Sequence, residues 1–281
     1  MYRLPLAALA NVLVAVPLLL IGGPAKANEI ANLLAVCSNP ATPPHDALMA
    51  CRHVAEQGEL DRKREALVWM NAGIAAFALG LYGDAVHAHT AAIKADPRLS
   101  AAFENRARAY ERQSRIDEAL ADYASAISIR PQQPAAYLGR GTLMLNRGAP
   151  ERALPDFGRA LELDPNSIPA RFNRGIAFLQ LGQNRLAEID FSDVIGRNPR
   201  DAGAYLNRGR ARAAMDKPKA FNDLDRAVAL QPEWGQAWFI RGRYREEQGD
   251  VEAANADYLR AYQLGHSDPW LIQRVRELSG Q

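Results

Sequence analysis

Three sets of residues in this chain could do chemistry at regular spacing. The most regular is an arginine–aspartate doublet that recurs five times: Arg106 with Asp122, Arg140 with Asp156, Arg174 with Asp190, Arg208 with Asp223, and Arg241 with Asp257. A guanidinium and a carboxylate fit each other as a planar fork of two hydrogen bonds, so such doublets make register-fixing ion pairs. The second set is Asn71, Asn105, Asn173 and Asn207. A primary amide both donates and accepts, which suits it to the backbone of another polypeptide; it also suits a solvated polar row. The third is Cys37 and Cys51, spaced C-x13-C, which is neither the C-x-x-C of redox sites nor a zinc pattern. In an oxidising compartment the simplest outcome is a disulfide.

Catalytic motifs are absent. The chain has no G-x-x-x-x-G-K-[ST], no G-x-S-x-G and no H-E-x-x-H. His87 and His89 stand two apart on a helical stretch and point to different faces. The sequence therefore predicts no enzyme, no metal site and no cofactor.

What positions the doublets is a repeat. Pro97, Pro131, Pro165, Pro199 and Pro232 stand 34, 34, 34 and 33 residues apart. A fixed period of this size marks a solenoid of stacked units. The copies run 66–99, 100–133, 134–167, 168–201, 202–234 and 235–268. Each has an aromatic at its fourth position (Trp69, Phe103, Tyr137, Tyr205, Trp238), with Arg171 the exception, and a small residue at its eighth. Ala fills the twentieth, and a bulky group follows four later (Tyr123, Phe157, Phe191, Leu224, Tyr258), with His89 departing. Two antiparallel helices approach closely only where small residues face each other, and large groups fill the space above and below. Proline then ends the second helix. Pairing that sets the fourth position near the twenty-seventh also brings the seventh near the twenty-third. The doublets thus read as a ladder between paired helices, missing from the first copy, which has Ala72 and Ala88.

This grammar resembles the tetratricopeptide repeat over residues 66–268. The resemblance implies an all-α, right-handed superhelical solenoid of antiparallel helix pairs that binds a protein or peptide. It also implies that the asparagines face a concave groove, like the asparagine ladders that hold an extended peptide by its backbone. Gly139 and Ile240 break that series. The same groove would offer an apolar floor, Leu138, Phe172, Ile176 and Leu179, between Arg108 on one side and Arg210 on the other. The lysine of the carboxylate clamp in chaperone-binding relatives has no counterpart here.

The ends read differently. Residues 1–27 form an export signal: Arg3, an apolar run over 4–21, then Ala25-Lys26-Ala27 as a cleavage site. Retention as an anchor is the rival outcome, for a run near the lower limit for spanning a bilayer and interrupted by Pro5 and Pro17. Residues 28–62 suggest a degenerate helical hairpin stapled by the cysteines, similar to the cysteine pair ahead of the repeats in exported bacterial members. Residues 269–281 suggest an amphipathic capping helix with Leu271, Val275 and Leu278 on one face. Lys and Arg total 34 against 32 Asp and Glu, a balance that argues against a nucleic-acid partner. Together these features predict a periplasmic or secreted scaffold, touching membrane only through its signal segment or a membrane-bound partner. The alternative is a structural protein of the envelope that assembles with itself.

Overall fold

The computed structural model describes residues 24–57, 60–215 and 218–279. The predicted signal up to residue 23, and Asp216 and Lys217 of the shortened fifth-copy turn, lie outside them. The described residues form fifteen helices and no strand, the all-α architecture of paired helices. They divide into two compact units that meet at Arg147 and Gly148.

The first unit holds α1 (Pro24–Ser38), α2 (Pro44–Glu56), α3 (Arg62–Ala78), α4 (Tyr82–Ala95), α5 (Ser100–Arg112), α6 (Ile116–Ile129) and α7 (Pro134–Asn146). Each helix packs on the next, and α3 is also touched by α1 and α5. Cys37 and Cys51 form a disulfide that joins α1 to α2, with both sulfurs buried. Closing a loop of this size stabilises by about 3 kcal/mol in the chain-entropy treatment. Ile30, Leu34, Leu48 and Val54 from this hairpin share one core with Val68, Ala72 and Ala76 of α3.

The second unit holds α8 (Pro150–Leu163), α9 (Ile168–Gln180), α10 (Asn184–Arg197), α11 (Ala202–Ala213), α12 (Ala220–Leu230), α13 (Gly235–Glu247), α14 (Val251–Gln263) and α15 (Pro269–Leu278). Helix α10 shows why these segments are helices of a packed pair. Its buried residues Ala187, Asp190, Phe191, Val194 and Ile195 fall at i, i+3, i+4, i+7 and i+8. Gly175 of α9 lies under Phe191; a Cβ there would come within 2.9 Å of the ring. Helix α15 is capped by Asp268, whose carboxylate accepts from the Leu271 amide. It buries Leu271 and Val275 but leaves Leu278 38% exposed, so the predicted apolar face is one residue shorter than its spacing suggested.

Helix ends follow local chemistry. Pro97, Pro131, Pro165, Pro199 and Pro232 each stand two residues past the end of α4, α6, α8, α10 and α12. In the turns between successive helices a residue takes positive φ: Gly80, Gly148, Gly182 and Gly249, with Ser114 at φ 60° in the same role. Gly83 lies inside the first turn of α4.

His89 stands where the other copies place a large ring or Leu. It is fully buried, and neither ring nitrogen has a hydrogen-bond partner. Tyr123 and Tyr258, at the same position, donate to Glu111 and Glu246; the first copy has Phe77 where those acids stand. Burial, reinforced by the charges of Arg106 and Arg108, lowers the His89 pKa from 6.5 to about 3. An unfolded chain takes a proton here near pH 6.5 that the folded chain refuses until about pH 3. Stability from this site is therefore complete above pH 6.5 and is lost as pH falls through that window. His89→Phe should stabilise the protein more at pH 5 than at pH 8, by about 2 kcal/mol in urea titrations at the two values. An equal gain at both would mean that His89 does not titrate as described.

Candidate functional site

The arginines and aspartates are built between paired helices. Arg106 Nε and Nη2 donate to the two carboxylate oxygens of Asp122 at 2.7 and 2.8 Å. Arg174 binds Asp190 in the same way at 2.8 and 2.7 Å, Arg208 binds Asp223 at 2.9 and 2.7 Å, and Arg241 binds Asp257 at 2.9 and 2.7 Å. Asp122, Asp190, Asp223 and Asp257 are buried, so each carboxylate relies on its arginine. Arg140 and Asp156 fall in different units. Two further arginines join in: Arg212 reaches Asp223 and Glu188, and Arg245 reaches Asp257. That removes Arg208 and Arg212 from any basic patch.

In three of these arginines the remaining guanidinium nitrogen reaches the preceding copy. Arg106 Nη1 donates to Thr90, Arg208 Nη1 to Ser192, and Arg241 Nη1 to Asp225, at 3.0, 3.2 and 2.6 Å. The fourth-position aromatic lies under the arginine three residues on, with Arg241 4.7 Å over Trp238 and Arg208 5.5 Å over Tyr205. Where that aromatic is replaced by Arg171, Arg174 stacks on Phe178 instead. The fourth-position side chain also returns to the marker proline. Trp238 Nε1 donates to the Pro232 carbonyl at 2.9 Å, Tyr137 to Pro131, and Arg171 to Pro165 through two nitrogens.

The predicted asparagine row needs correction. Asn71 is fully buried, with neither amide atom hydrogen-bonded. Helices α1 and α2 lie on α3 and close the side that a bare first copy would expose. Asn173 and Asn207 are 4% and 6% exposed. The Asn207 amide is engaged within its own helix, donating to the Gly203 carbonyl and accepting from Arg210 Nη1 at 3.1 Å. Asn105 alone is half-buried, and it accepts from Arg108. Phe172 and Ile176 are also largely buried, 2% and 9% exposed, although both border a recess. Phe172 is 2% exposed and meets Phe191 edge-on at 5.5 Å, so its ring belongs to the interhelical core. Leu138 and Leu179 are partly exposed.

A recess of about 420 Å³ nonetheless brings several predicted residues together in the second unit. Helix α9 supplies Phe172, Ile176 and Gln180; α11 and its cap supply Asp201, Leu206, Asn207 and Arg210; Gln231, Trp234 and Gln236 complete the lining. The floor is apolar and the rim carries amides, one cation and one carboxylate. Asp201 caps α11 through Oδ1, which accepts from Ala204 at 2.9 Å, while its buried Oδ2 has no partner. Nothing in the repeat pattern singles out Asp201 as a site residue, because it reads as an ordinary helix cap. In the first unit Ile74, Phe77, His89, Asn105 and Arg108 line a much smaller hollow.

Comparisons with known proteins agree with this architecture. The family model described as tetratricopeptide repeat matches residues 70–134, 172–217 and 216–269. No curated protein matches the chain. Among solved structures, a tetratricopeptide repeat protein from Parabacteroides merdae shares 21% identity over 89% of this chain and 98% of its own, at a TM-score of 0.66. PilW, a type IV pilus biogenesis factor, shares 19% over 75% and 98%, at 0.67. YrrB, a protein with an unusual peptide-binding site, shares 24% over 68% and 97%, at 0.57. At these identities the likeness is one of fold.

The buried forks make a direct test possible. Arg174 is 29% exposed and Asp190 3%. In a double-mutant cycle with Ala at both positions, the coupling energy should be about 1.5–3 kcal/mol, the range for hydrogen bonds to charged groups. Each single change should be more harmful than the double change implies by addition. A coupling near zero in denaturant titrations would mean that the pair does not hold the hairpin.

Proposed function

The chain belongs to the tetratricopeptide repeat family, and from that premise we propose that it is an exported scaffold holding an extended polypeptide segment in the recess on α9, α11 and α13. Proteins of this family generally act as non-catalytic interaction scaffolds, so a protein partner is the coarse expectation. The recess carries the finer reading. It combines an apolar floor of Phe172, Ile176, Leu206 and Trp234 with a rim of side-chain amides suited to a peptide backbone. The peptide-binding site named for YrrB supports the same use of the fold. The reading of residues 1–27 as an export signal supports export, and with it a scaffold in the periplasm or outside the cell.

Site-directed photocrosslinking in cells tests the groove reading. A photoreactive residue at Gln236, exposed on the rim, should crosslink to a different polypeptide. The same probe at Ile189, 58% exposed on α10 and outside the recess, should not. Crosslinks from Gln236 only to a second copy of this chain would favour self-assembly instead. Crosslinks from Ile189 alone would move the partner to the other face.

Export has its own test. Edman sequencing of the protein recovered from the expressing cell envelope should begin at Asn28. A product that keeps Met1 and sediments with membranes would show an anchor in place of a cleaved signal.

A further inference from the structure

The outer side of α10 departs from the repeat pattern in a way that packing does not require. Leu186 and Ile189 stand one turn apart there and are 44% and 58% exposed. They hold the nineteenth and twenty-second positions of the fourth copy. At the nineteenth the other copies have Asp84, Glu118, Arg152, Ala253 and, allowing for the shortened fifth copy, Lys219. At the twenty-second they have His87, Ala121, Pro155, Asn222 and Ala256. The fourth copy alone sets two large aliphatic side chains together on this face. Arg185 precedes Leu186 and lies one turn from Ile189. Arg152 on α8 and Lys219 before α12 take the place of Leu186 in the neighbouring copies, and Arg226 follows on α12. All four cations are exposed, and none has a carboxylate partner among the described residues. The acids of α10 are already held, Glu188 by Arg212 and Asp193 by Arg171 and Arg197. Glu151 on α8 offsets one of the four charges, so the face is basic around an aliphatic pair.

We propose that this face docks the protein on a bilayer surface rich in anionic phospholipid. Leu186 and Ile189 enter the boundary between headgroups and acyl chains, while Arg152, Arg185, Lys219 and Arg226 pair with lipid phosphates. Protruding aliphatic side chains ringed by Lys and Arg are the chemistry of interfacial membrane binding. Long basic side chains can keep their charged heads at phosphate level while the aliphatic pair goes deeper. Charge complementarity selects anionic headgroups, toward which each cation adds about fivefold in affinity. The cations need not meet on one lipid, because their fields act together over a screening length of about 10 Å. A polypeptide fits this face less well. A stable protein interface covers about 800 Å² on each partner around a packed apolar core. Two aliphatic side chains are a small core for that, and lysine is depleted at such interfaces. The contact lies outside the recess on α9, α11 and α13 and does not use the signal segment, so it stands independently of both.

The test is flotation of the purified chain with two kinds of vesicle: phosphatidylcholine alone, and phosphatidylcholine with phosphatidylglycerol in equal parts. The chain is used without its first 27 residues, which keeps the apolar run at 4–21 out of the assay. It should float with the mixed vesicles, not with the neutral ones, and should release as salt rises from about 0.1 to about 1 M. Leu186→Gln combined with Ile189→Gln should weaken flotation roughly tenfold or more. Arg185→Gln and Lys219→Gln should each weaken it about fivefold and flatten its salt dependence. Leu79 and Leu81 of the first unit, 38% and 45% exposed, supply the control: changing both to Gln should leave flotation unaltered. A second readout locates the contact. Cys37 and Cys51 are joined, so Ile189→Cys offers a single free thiol. A polarity-sensitive dye there should shift to the blue on the mixed vesicles, and one at the exposed Gln236→Cys should not. Absence of flotation with mixed vesicles at low salt overturns the inference. So does flotation that the α10 pair leaves unchanged or the control pair reduces equally, or a dye that responds at position 236 and not at 189. None of these outcomes bears on the groove reading.

Discussion

The structure depends on a buried ion pair repeated at one register. Asp122, Asp190, Asp223 and Asp257 are withdrawn from water and would be intolerable there alone. Each is met by an arginine from the facing helix through two nitrogens, and the planar fork admits one alignment of the two helices. Apolar packing of Ala and Gly against large side chains brings the helices close, but it tolerates sliding better than the fork does. The aromatic beneath the guanidinium, such as Trp238 beneath Arg241, narrows its freedom further. Hydrophobic burial thus supplies most of the stabilisation, and the ion pair supplies the register.

Much of this was legible in the sequence because it is periodic. A period of 34 residues, prolines that end helices, and doublets always present or absent together are patterns visible without coordinates. The shell around the fork was less legible. Arg171 looked like an exception to the aromatic rule, yet it makes the same bond to the proline carbonyl that Trp238 makes, from a chemically different side chain. A rule written in residue types misses equivalence of hydrogen bonding.

The candidate site was read less well, for a physical reason. Placing Asn71, Asn173 and Phe172 on a groove uses the angle around one helix. Whether that angle is open depends on what lies across it, and neighbouring helices leave only 0%, 4% and 2% of these residues exposed. Ion pairing is also non-local. Arg212 pairs with Glu188, 24 residues away, so the sequence cannot say which of three adjacent arginines is left without a carboxylate.

The third nitrogen of the ladder arginines gives the array a direction. Three of the arginines, Arg106, Arg208 and Arg241, carry a plug whose socket, Thr90, Ser192 or Asp225, lies on the copy before it; the second and third copies have Ala124 and Gly158 at that position. The fifth copy has both, Arg208 and Asp225, so a duplicate placed behind it would meet the socket that Arg241 now uses. The first copy has the socket, Thr90, but Ala72 in place of the plug. Growth of the array by duplication can therefore proceed toward the C-terminus, while a cassette inserted ahead of the first copy would meet no plug. The disulfide-bonded hairpin occupies that position instead, as a terminator held by a covalent bond where the ladder has nothing to offer.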